Sequence, residues 1–523
     1  MSSASTVRVR LVSASPQSYN FMVAAARTCY SSRGIVSSEQ VAAGRRSAPP
    51  EERYAGRDRL ARSIYEAGHH TTLQHGQVQF ALEGVSRLFI WSFLHSHPFY
   101  NSEQVSQRYV AVARENVYTP ALAGQAAAIY GEQMEAAADD YRALAQLLLP
   151  RCRELYLARF PARKNDTRVQ GDVEKLALEA ARYALPLATT AYLYHTVSVL
   201  TLFRYQRLAA QRDVPAETRQ VVDAMVAAVL AAEPDYARLL QDPLPLEATP
   251  EAAFFAAREA APGEQTRFRA AFDASLEGRA SRLVAASEPA ERVVADAVRE
   301  VLGLPTEALT DADAIALSLD PARNRLWGET LNLATMDRLA RPLHHVHYSF
   351  RRRISHSADS QDQRHRMTPA SRPSLLSQED GTPDYVTPVL IASVPEARRR
   401  FEQSMERAWD AAARFRAAGG SAEDALYLLP NAKALRYTES SDLLNFHHKA
   451  SMRLCYNAQE EIWRVTLEEV QQIRERHPVL GSYLQPPCGH RRASGSHPVC
   501  PEGARYCGVP VWRLALEDYE RVI

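Results

Sequence analysis

Two stretches of the sequence concentrate side chains able to hold an anion or read a heterocycle. The first, HSHPFYNSEQVSQRYV at residues 95–110, follows the apolar run SRLFIWSFL. The second, RRRISHSADSQDQRHR at residues 351–366, has the same length and the same cast of Ser, Gln, His and Arg. A guanidinium offers a fixed, charged fork of donors that suits phosphate or a carbonyl edge. Gln and Ser suit the amide-like edge of a base. The candidates in and just before the first stretch are His75, His95, His97, Glu103, Gln104, Ser106, Gln107 and Arg108. Each also has a plainer reading, since Ser-Gln-Arg in a loop is commonly a solvated turn and an isolated His a satisfied surface or core residue. Ser106 has no evident base beside it, so it reads as a binding group and not as a nucleophile.

A third cluster lies near the C-terminus, where Cys488, His490, His497, Cys500 and Cys507 fall among Gly and Pro. Three thiolates and an imidazole, such as Cys488, His490, Cys500 and Cys507, can close a structural zinc site. The spacing Cys-x11-Cys-x6-Cys lacks the paired CxxC knuckles of secure zinc motifs, so buried free thiols and redox chemistry stay open beside zinc.

The elements around these residues recur. RLVSASPQSYNFMVAAARTCY (10–30) and RLVAASEPAERVVADAVRE (282–300) both read as a strand, a Ser/Pro helix start and an alanine-rich amphipathic helix. His95 to Arg108 and Arg351 to Arg364 both span thirteen steps, and a Leu-Pro step recurs at Leu185-Pro186 and Leu429-Pro430. An internal duplication follows. Strand-like VRVRLVSA and HGQVQFALEG among long helical stretches, such as 221–232 and 397–418, predict an α+β class. The expected organisation is a first domain over 1–240, a Pro-rich linker over 241–275, a second domain over 276–480 and a Cys-rich tail over 481–523.

Composition limits the alternatives. The 523 residues exceed one ordinary core. A hydrophobic content of 46% with 24% charged residues describes a globular chain. A net charge of +1 leaves no global field to attract nucleic acid or an anionic membrane, and the basic patch of Arg351–Arg353 with Arg364 and Arg366 has few aromatics beside it. The N-terminus lacks an apolar leader region and no apolar run reaches membrane-spanning length, so a cytoplasmic location without a membrane partner is expected.

The stretches GHHTTLQH, FALEGVSR and SEQVSQRY, together with the opening RLVSASPQSYNFMVAAARTCYSS and ARYALP, resemble the signature regions of flavin-dependent thymidylate synthases. The resemblance covers most of 7–219, with a weaker copy over 282–464. It implies two tandem domains of that family's fold, each a mixed or antiparallel sheet packed with long helices. It also implies reductive methylation of dUMP to dTMP, with FAD as cofactor and methylenetetrahydrofolate and NADPH as co-substrates. Carried over residue by residue, it places Ser106, Arg108, Arg182 and Arg453 among catalytic positions and Gln107 and Arg364 at the substrate. His75, His95, His97, Glu103, Gln104 and Arg351, Arg352 and Arg353 fall at the flavin.

The departures are specific. His95-Ser96-His97 stands where the family has Arg-His-Arg, and the expected alignment gives that place in the second half to Arg351-Arg352-Arg353. Asp362 is expected at the position of Ser106. Ser198, Leu200 and Ala209 replace an Asn-x-Arg and a further Arg, and Leu426 replaces Arg182. No counterpart of His75 is evident. Because family sites are built from several subunits, two chains paired as a pseudo-tetramer could divide the labour. His75, Ser106, Gln107, Arg108 and Arg182 of one half would meet Arg351, Arg353 and Arg453 of the other. The competing expectation is a catalytically inactive homologue that binds nucleotide or flavin, or serves as a scaffold.

Overall fold

The computed structural model describes residues 7–44, 49, 52–258, 261 and 263–523. The first half runs β1 (Arg8–Ala14), α1 (Ser18–Thr28), β2 (Gln77–Ser86), α2 (Arg87–Leu94), β3 (Asn101–Gln104), α3 (Gly124–Arg159), β4 (Thr190–Ser198), α4 (Val199–Leu208) and α5 (Pro215–Ala232). Helix α6 (Glu264–Ser275) lies within the expected linker. The second half repeats the series: β5 (Ser281–Ala286), α7 (Ala290–Leu302), β6 (His347–Ser355), α8 (His356–Asp362), β7 (Ala370–Ser371), α9 (Pro395–Ala417), β8 (Ala434–Asp442), α10 (Leu443–Leu454) and α11 (Glu460–Arg476). Both sheets are antiparallel and four-stranded, ordered β1-β2-β4-β3 and β5-β6-β8-β7. The α+β class and the duplication are therefore visible in the topology. No helix among the described residues is long and apolar enough to cross a membrane.

Local chemistry explains why the same elements form twice. Ser86 and Ser355 end their strands in extended conformation, and each hydroxyl accepts from the backbone N–H three residues on, opening α2 and α8. Ser198 and Asp442 do the same for α4 and α10. The halves differ at Gly84, which takes φ 71 in a bulge between Glu83 and Val85. A left-handed position of this kind suits Gly, and β6 runs through the corresponding place without a break in register.

The halves join about a local two-fold axis. The backbone N–H groups of Leu187 and Ala188 donate to the carbonyls of Leu429 and Tyr427 (2.8 and 3.1 Å), while those of Asn431 and Ala432 donate to Leu185 and Tyr183 (2.8 and 2.9 Å). Beneath this ladder, Glu217 accepts from Ser86 N (2.7 Å), Ser86 Oγ (2.6 Å) and the Tyr427 hydroxyl (2.6 Å). Glu461 takes the mirrored set from Ser355 N, Ser355 Oγ and the Tyr183 hydroxyl. The long helices α3 and α9 pack across the seam, where the buried Asp140 on α3 holds Arg400 (2.6 Å) and Arg407 of α9. One hydrophobic core runs through both halves, from Tyr19 and Phe80 to Phe401 and Tyr427.

Burial lifts the Glu217 carboxyl to about 7 against the pull of its three donors. The folded chain keeps that proton between about 4.5 and 7 while the unfolded chain releases it. Glu217 therefore costs stability progressively as pH rises through that window, on the order of 3 kcal/mol in all. Urea midpoints taken at pH 5 and pH 8 should fall with pH more steeply in the wild type than in Glu217→Gln. Equal slopes would exclude this group as the cause.

Candidate functional site

The loop leaving β3 carries Ser106, Gln107 and Arg108 to the seam. The Val105 N–H donates to the Tyr192 carbonyl (3.1 Å), which fixes the loop's start, and Ser106 Oγ accepts from Arg108 N (3.2 Å). Arg108 ion-pairs with Glu179 (2.6 Å) and crosses to the second half, donating to the Asn457 carbonyl (2.8 Å). Asn431 of the second half donates both to Gln107 Oε1 (3.3 Å) and to the Arg182 carbonyl (3.1 Å). Arg453, at the end of α10, donates to the Gln361 carbonyl and stands 3.9 Å from Asp362.

These groups form a line of cations short of counter-charge. Arg182 is 2% exposed, and its Nε and Nη2 have no hydrogen-bond partner. Gln107 Nε2 and Arg453 Nε are likewise buried without partners. Burial, then the Arg182 charge, lowers Arg87 to about 9. Burial also lowers Arg453 to about 10, with Arg108 and Arg364 adding to the effect against the opposing pull of Asp362. Buried cations with free N–H donors are sites that an anion would complete. A cavity of about 430 Å³ opens at one end of the line, walled by Arg87, Ser106, Gln107, Gly84, Asn116 and Tyr192 among others. Arg87 itself donates only to Gln104 Oε1 and the Val105 carbonyl, both at 2.7 Å.

Strand and cap register corrects the alignment of the halves. His95 lies nine residues beyond the cap Ser86, and the residue nine beyond Ser355 is Arg364. The triplet matching His95-Ser96-His97 is therefore Arg364-His365-Arg366, and Arg351–Arg353 lie within β6. Ser102 faces His195 and Ala370 faces Glu439, three residues before the caps Ser198 and Asp442. Ser106 is thus matched by Ser374, and Arg108 by Leu376; Asp362 is not the counterpart of Ser106. His75 does have a counterpart, His345, since the next residue in each half accepts from the first N–H of α4 or α10 (Gly76 from Val199, Val346 from Leu443). The shared thirteen-residue spacing had paired two stretches that occupy different parts of the fold.

The triplets differ in how far they are committed. In the first half, His95 Nδ1 bonds the Trp91 carbonyl (2.9 Å), Ser96 the Phe93 carbonyl (2.7 Å) and His97 the Tyr205 hydroxyl (2.8 Å). Burial lowers both histidines to about 4. This triplet is internal packing. In the second half, Arg364 is largely exposed and pairs with Glu103 (2.7 Å), Arg366 lies over the Tyr100 ring, and the buried His365 Nε2 has no partner. His365 is held neutral by burial and by the Arg453 charge, which brings this triplet beside the arginine line.

Other expected residues lie elsewhere. Gln77 meets β4 at Ser198, six residues from Tyr192, so His75 stands about 20 Å from the Ser106 loop at strand rise, edge-on to Phe21. Arg352 is fully buried between Glu469 (2.6 Å) and Asp362. Lys449 joins Asp362 (3.0 Å) and Glu439, so charges that would otherwise be free are neutralised internally. Arg351 lies over Phe272 of α6, and Arg353 is 3.3 Å from Asp384. Sequence reasoning missed Arg87, His365 and Asn431, and named Arg364 and Arg366 without recognising that they frame the triplet. The literal Arg-His-Arg, nine residues beyond a Ser cap signal, was the usable clue for the triplet.

At the C-terminus His490 is buried against His447 and Trp327, away from the thiols. Its place is taken by Cys455, which lines one small pocket with Cys488, Cys500 and Cys507. Among the described residues no three His, Cys, Asp or Glu side chains are arranged to hold a metal ion.

The family model described as "Thymidylate synthase complementing protein" matches residues 10–235 and 282–479, well over half the chain. The chain belongs to this family, the flavin-dependent thymidylate synthases, and carries its domain twice with degenerate motifs in both copies. It is 30% identical over 158 residues to the flavin-dependent thymidylate synthase of Geobacter sulfurreducens, covering 30% of this chain and 65% of that protein. The Clostridium tetani enzyme of the same name is 26% identical over 232 residues (44% and 84%), and the Nitratidesulfovibrio vulgaris one 31% over 177 residues (32% and 70%). A UMP/dUMP methylase, PolB from Streptomyces cacaoi bound with 5-Br dUMP, matches at 18% identity, 45% of this chain and 94% of that one; its TM-score of 0.30 gives it no weight.

Arg182 is a buried cation that an uncharged side chain of similar length can replace. Arg182→Met should leave the unliganded fold as stable or more stable by about 1–3 kcal/mol. Inorganic phosphate is expected to raise the melting temperature of the wild type and to leave that of the variant unchanged. A destabilised variant with an unchanged phosphate response would contradict this account. For the thiols, burial and then neighbouring thiols raise Cys488 to about 12, and burial raises Cys455 to about 11. At pH 7.5 iodoacetamide should modify the pocket cysteines at least about tenfold more slowly than exposed Cys29; equal rates followed by peptide mapping would refute the burial argument.

Proposed function

We propose that the protein binds a pyrimidine nucleoside monophosphate, dUMP in the first instance, and methylates it reductively at uracil C5. Methylenetetrahydrofolate would be the carbon donor and NADPH the reductant. The observation that carries this reading is the line of under-neutralised donors on Arg182, Gln107 and Arg453 beside Ser106 and Arg108. Arg182 and Arg453 would take the phosphate. Gln107 and Ser106 would read the uracil edge, and the surrounding cations would stabilise negative charge developing on the ring. Ser106 has no basic side chain bonded to it, and its role is orientation.

The second-half triplet fits an FAD: Arg364 and Arg366 supply charge at the rim, and the His365 Nε2 is a buried group awaiting a partner. Bound reduced flavin would supply the hydride that completes the methyl group. The first-half triplet fits less well: Ser96 and His97 are bonded to Phe93 and Tyr205 and His95 Nδ1 to Trp91, and the unpartnered His95 Nε2 is buried 3.7 Å from Asp359. Both copies also lack the family's Asn-x-Arg: Ser198 and Leu200 stand in one, Asp442 and Leu444 in the other, and both leucines are buried. That loss favours a second reading, a homologue that binds nucleotide or flavin without turnover, or a scaffold. A cytoplasmic dimer of two chains forming a pseudo-tetramer would suit either reading.

The deciding assay is tritium release from [5-³H]dUMP with methylenetetrahydrofolate, NADPH and FAD. Its companion is the visible spectrum after incubation with FAD and desalting. Turnover that falls at least about 100-fold in Arg453→Ala supports the synthase. Retained dUMP or flavin without tritium release supports the non-catalytic reading, and retention of neither removes both ligand-binding readings.

A further inference from the structure

The two-fold seam creates a second place that ought to mirror the first, and its content differs at each arginine position. Ser374 corresponds to Ser106, but Leu376 replaces Arg108, Leu426 replaces Arg182, and Ala209 stands where the partner half has Arg453, eleven residues beyond the α4 and α10 caps. The triplet serving that place is His95-Ser96-His97, bonded into its own half. Among the described residues the cations on this side are committed elsewhere or face packed rings: Arg372 pairs with Asp359 (2.8 Å), and Arg212 lies over the Phe93 ring.

The cleft beside it is filled as well. Glu83 pairs with Tyr192 in the first sheet and Arg353 with Arg436 in the second. Thr190 N–H donates to the Asn116 carbonyl and Ala434 N–H to that of Asp384, both at 2.9 Å. The second-half counterparts of the walls of the 430 Å³ cavity are therefore Arg353, Arg436 and Asp384. These are the residues that α6 grips. Asp273 accepts from Arg436 Nε and Nη2 (2.7 Å each) and lies 3.6 Å from Arg353, while Arg269 pairs with Asp380 and is 3.5 Å from Asp384. Phe272 is buried beneath Arg351. In the first half, of the matching positions only Glu83 is charged, and it pairs with Arg8 of β1 (3.2 Å), not with a linker helix; Tyr192 and Asn116 are neutral, and the cavity stays open.

We propose that each chain holds one nucleoside monophosphate site, built from Ser106, Arg108 and Arg182 of the first half with Arg453 and Arg364 of the second. The pseudo-equivalent site is closed for good by loss of its arginines and by the linker helix α6 seated in its cleft. The proposal rests on the nucleotide reading above. It replaces an even division of labour between the halves with a division between one working seam and one structural seam.

Isothermal titration of the full chain with dUMP tests it, because stoichiometry separates this proposal from the reading beneath it. One dUMP per chain is expected. Ser106→Ala should weaken binding about tenfold, and Ser374→Ala should leave it within about twofold. Opening the cleft with Arg269→Ala/Asp273→Ala should leave the count at one, because the arginines needed for a second ligand are absent. Two dUMP per chain in the wild type or in that double variant would overturn the proposal, as would equal losses in the two serine variants. One dUMP bound with neither serine mattering would overturn it too, while leaving nucleotide binding intact. No binding at all would discard the nucleotide reading first and the stoichiometry with it.

Discussion

Everything in this molecule depends on the reciprocal seam between its halves, where two buried glutamates are each satisfied by groups from both. Glu217 takes the helix-capping Ser86 from its own half and Tyr427 from the other, and Glu461 takes Ser355 and Tyr183. A carboxyl group stripped of water needs its full set of donors, so neither half can bury its own Glu without the partner's Tyr. The crossed Leu-Pro ladder above them uses main-chain groups alone. That arrangement tolerates side-chain change nearby while holding the backbone. The seam therefore fixes where α2, α8 and the Ser106 loop must lie, and so fixes the distance from Arg108 and Arg182 to Arg453.

Covalent duplication frees the two copies of each position to diverge separately. In a symmetric oligomer of identical subunits, a change that spoils one site spoils all of them. Here the second half has turned inward. Asp359 and Arg372 pair in its core, Arg352 and Lys449 neutralise Asp362, Glu439 and Glu469, and α6 adds Asp273 and Arg269 to its cleft. The first half has kept Arg87 and Arg182 without carboxylates bonded to them. The same cation type is thus paired with acids in one half and left without a bonded carboxylate at the seam.

The fold was largely legible in the sequence, and the site only in part. Alternating strands, capped helices and the Leu-Pro steps leave periodic marks, and all of them hold in the structure. Register between the copies leaves a weaker mark. Arg351–Arg353 and Arg364–Arg366 are both basic runs near Ser and Gln, and only the cap at Ser355 separates strand from helix between them. A run of like charge looks the same whether it lies along a strand or closes a helix, and composition could not tell the two apart. The displacement of His490 by Cys455 was illegible for another reason: the four thiols meet only because the chain after α11 folds back onto the end of α10. Spacing along a chain says little about such a return.

A buried arginine without a carboxylate is expensive in an isolated protein, and the chain shows how readily such a cost is relieved. At Arg436 a linker helix supplied Asp273, and at Arg352 three core acids did the same. Relief at Arg182 needed no large change, since Tyr183 beside it already reaches a buried glutamate. It did not occur there. Arg182 and Arg87 stay without bonded carboxylates while Arg436 and Arg352 are paired with acids, and an anion arriving at the seam would complete the unsatisfied donors.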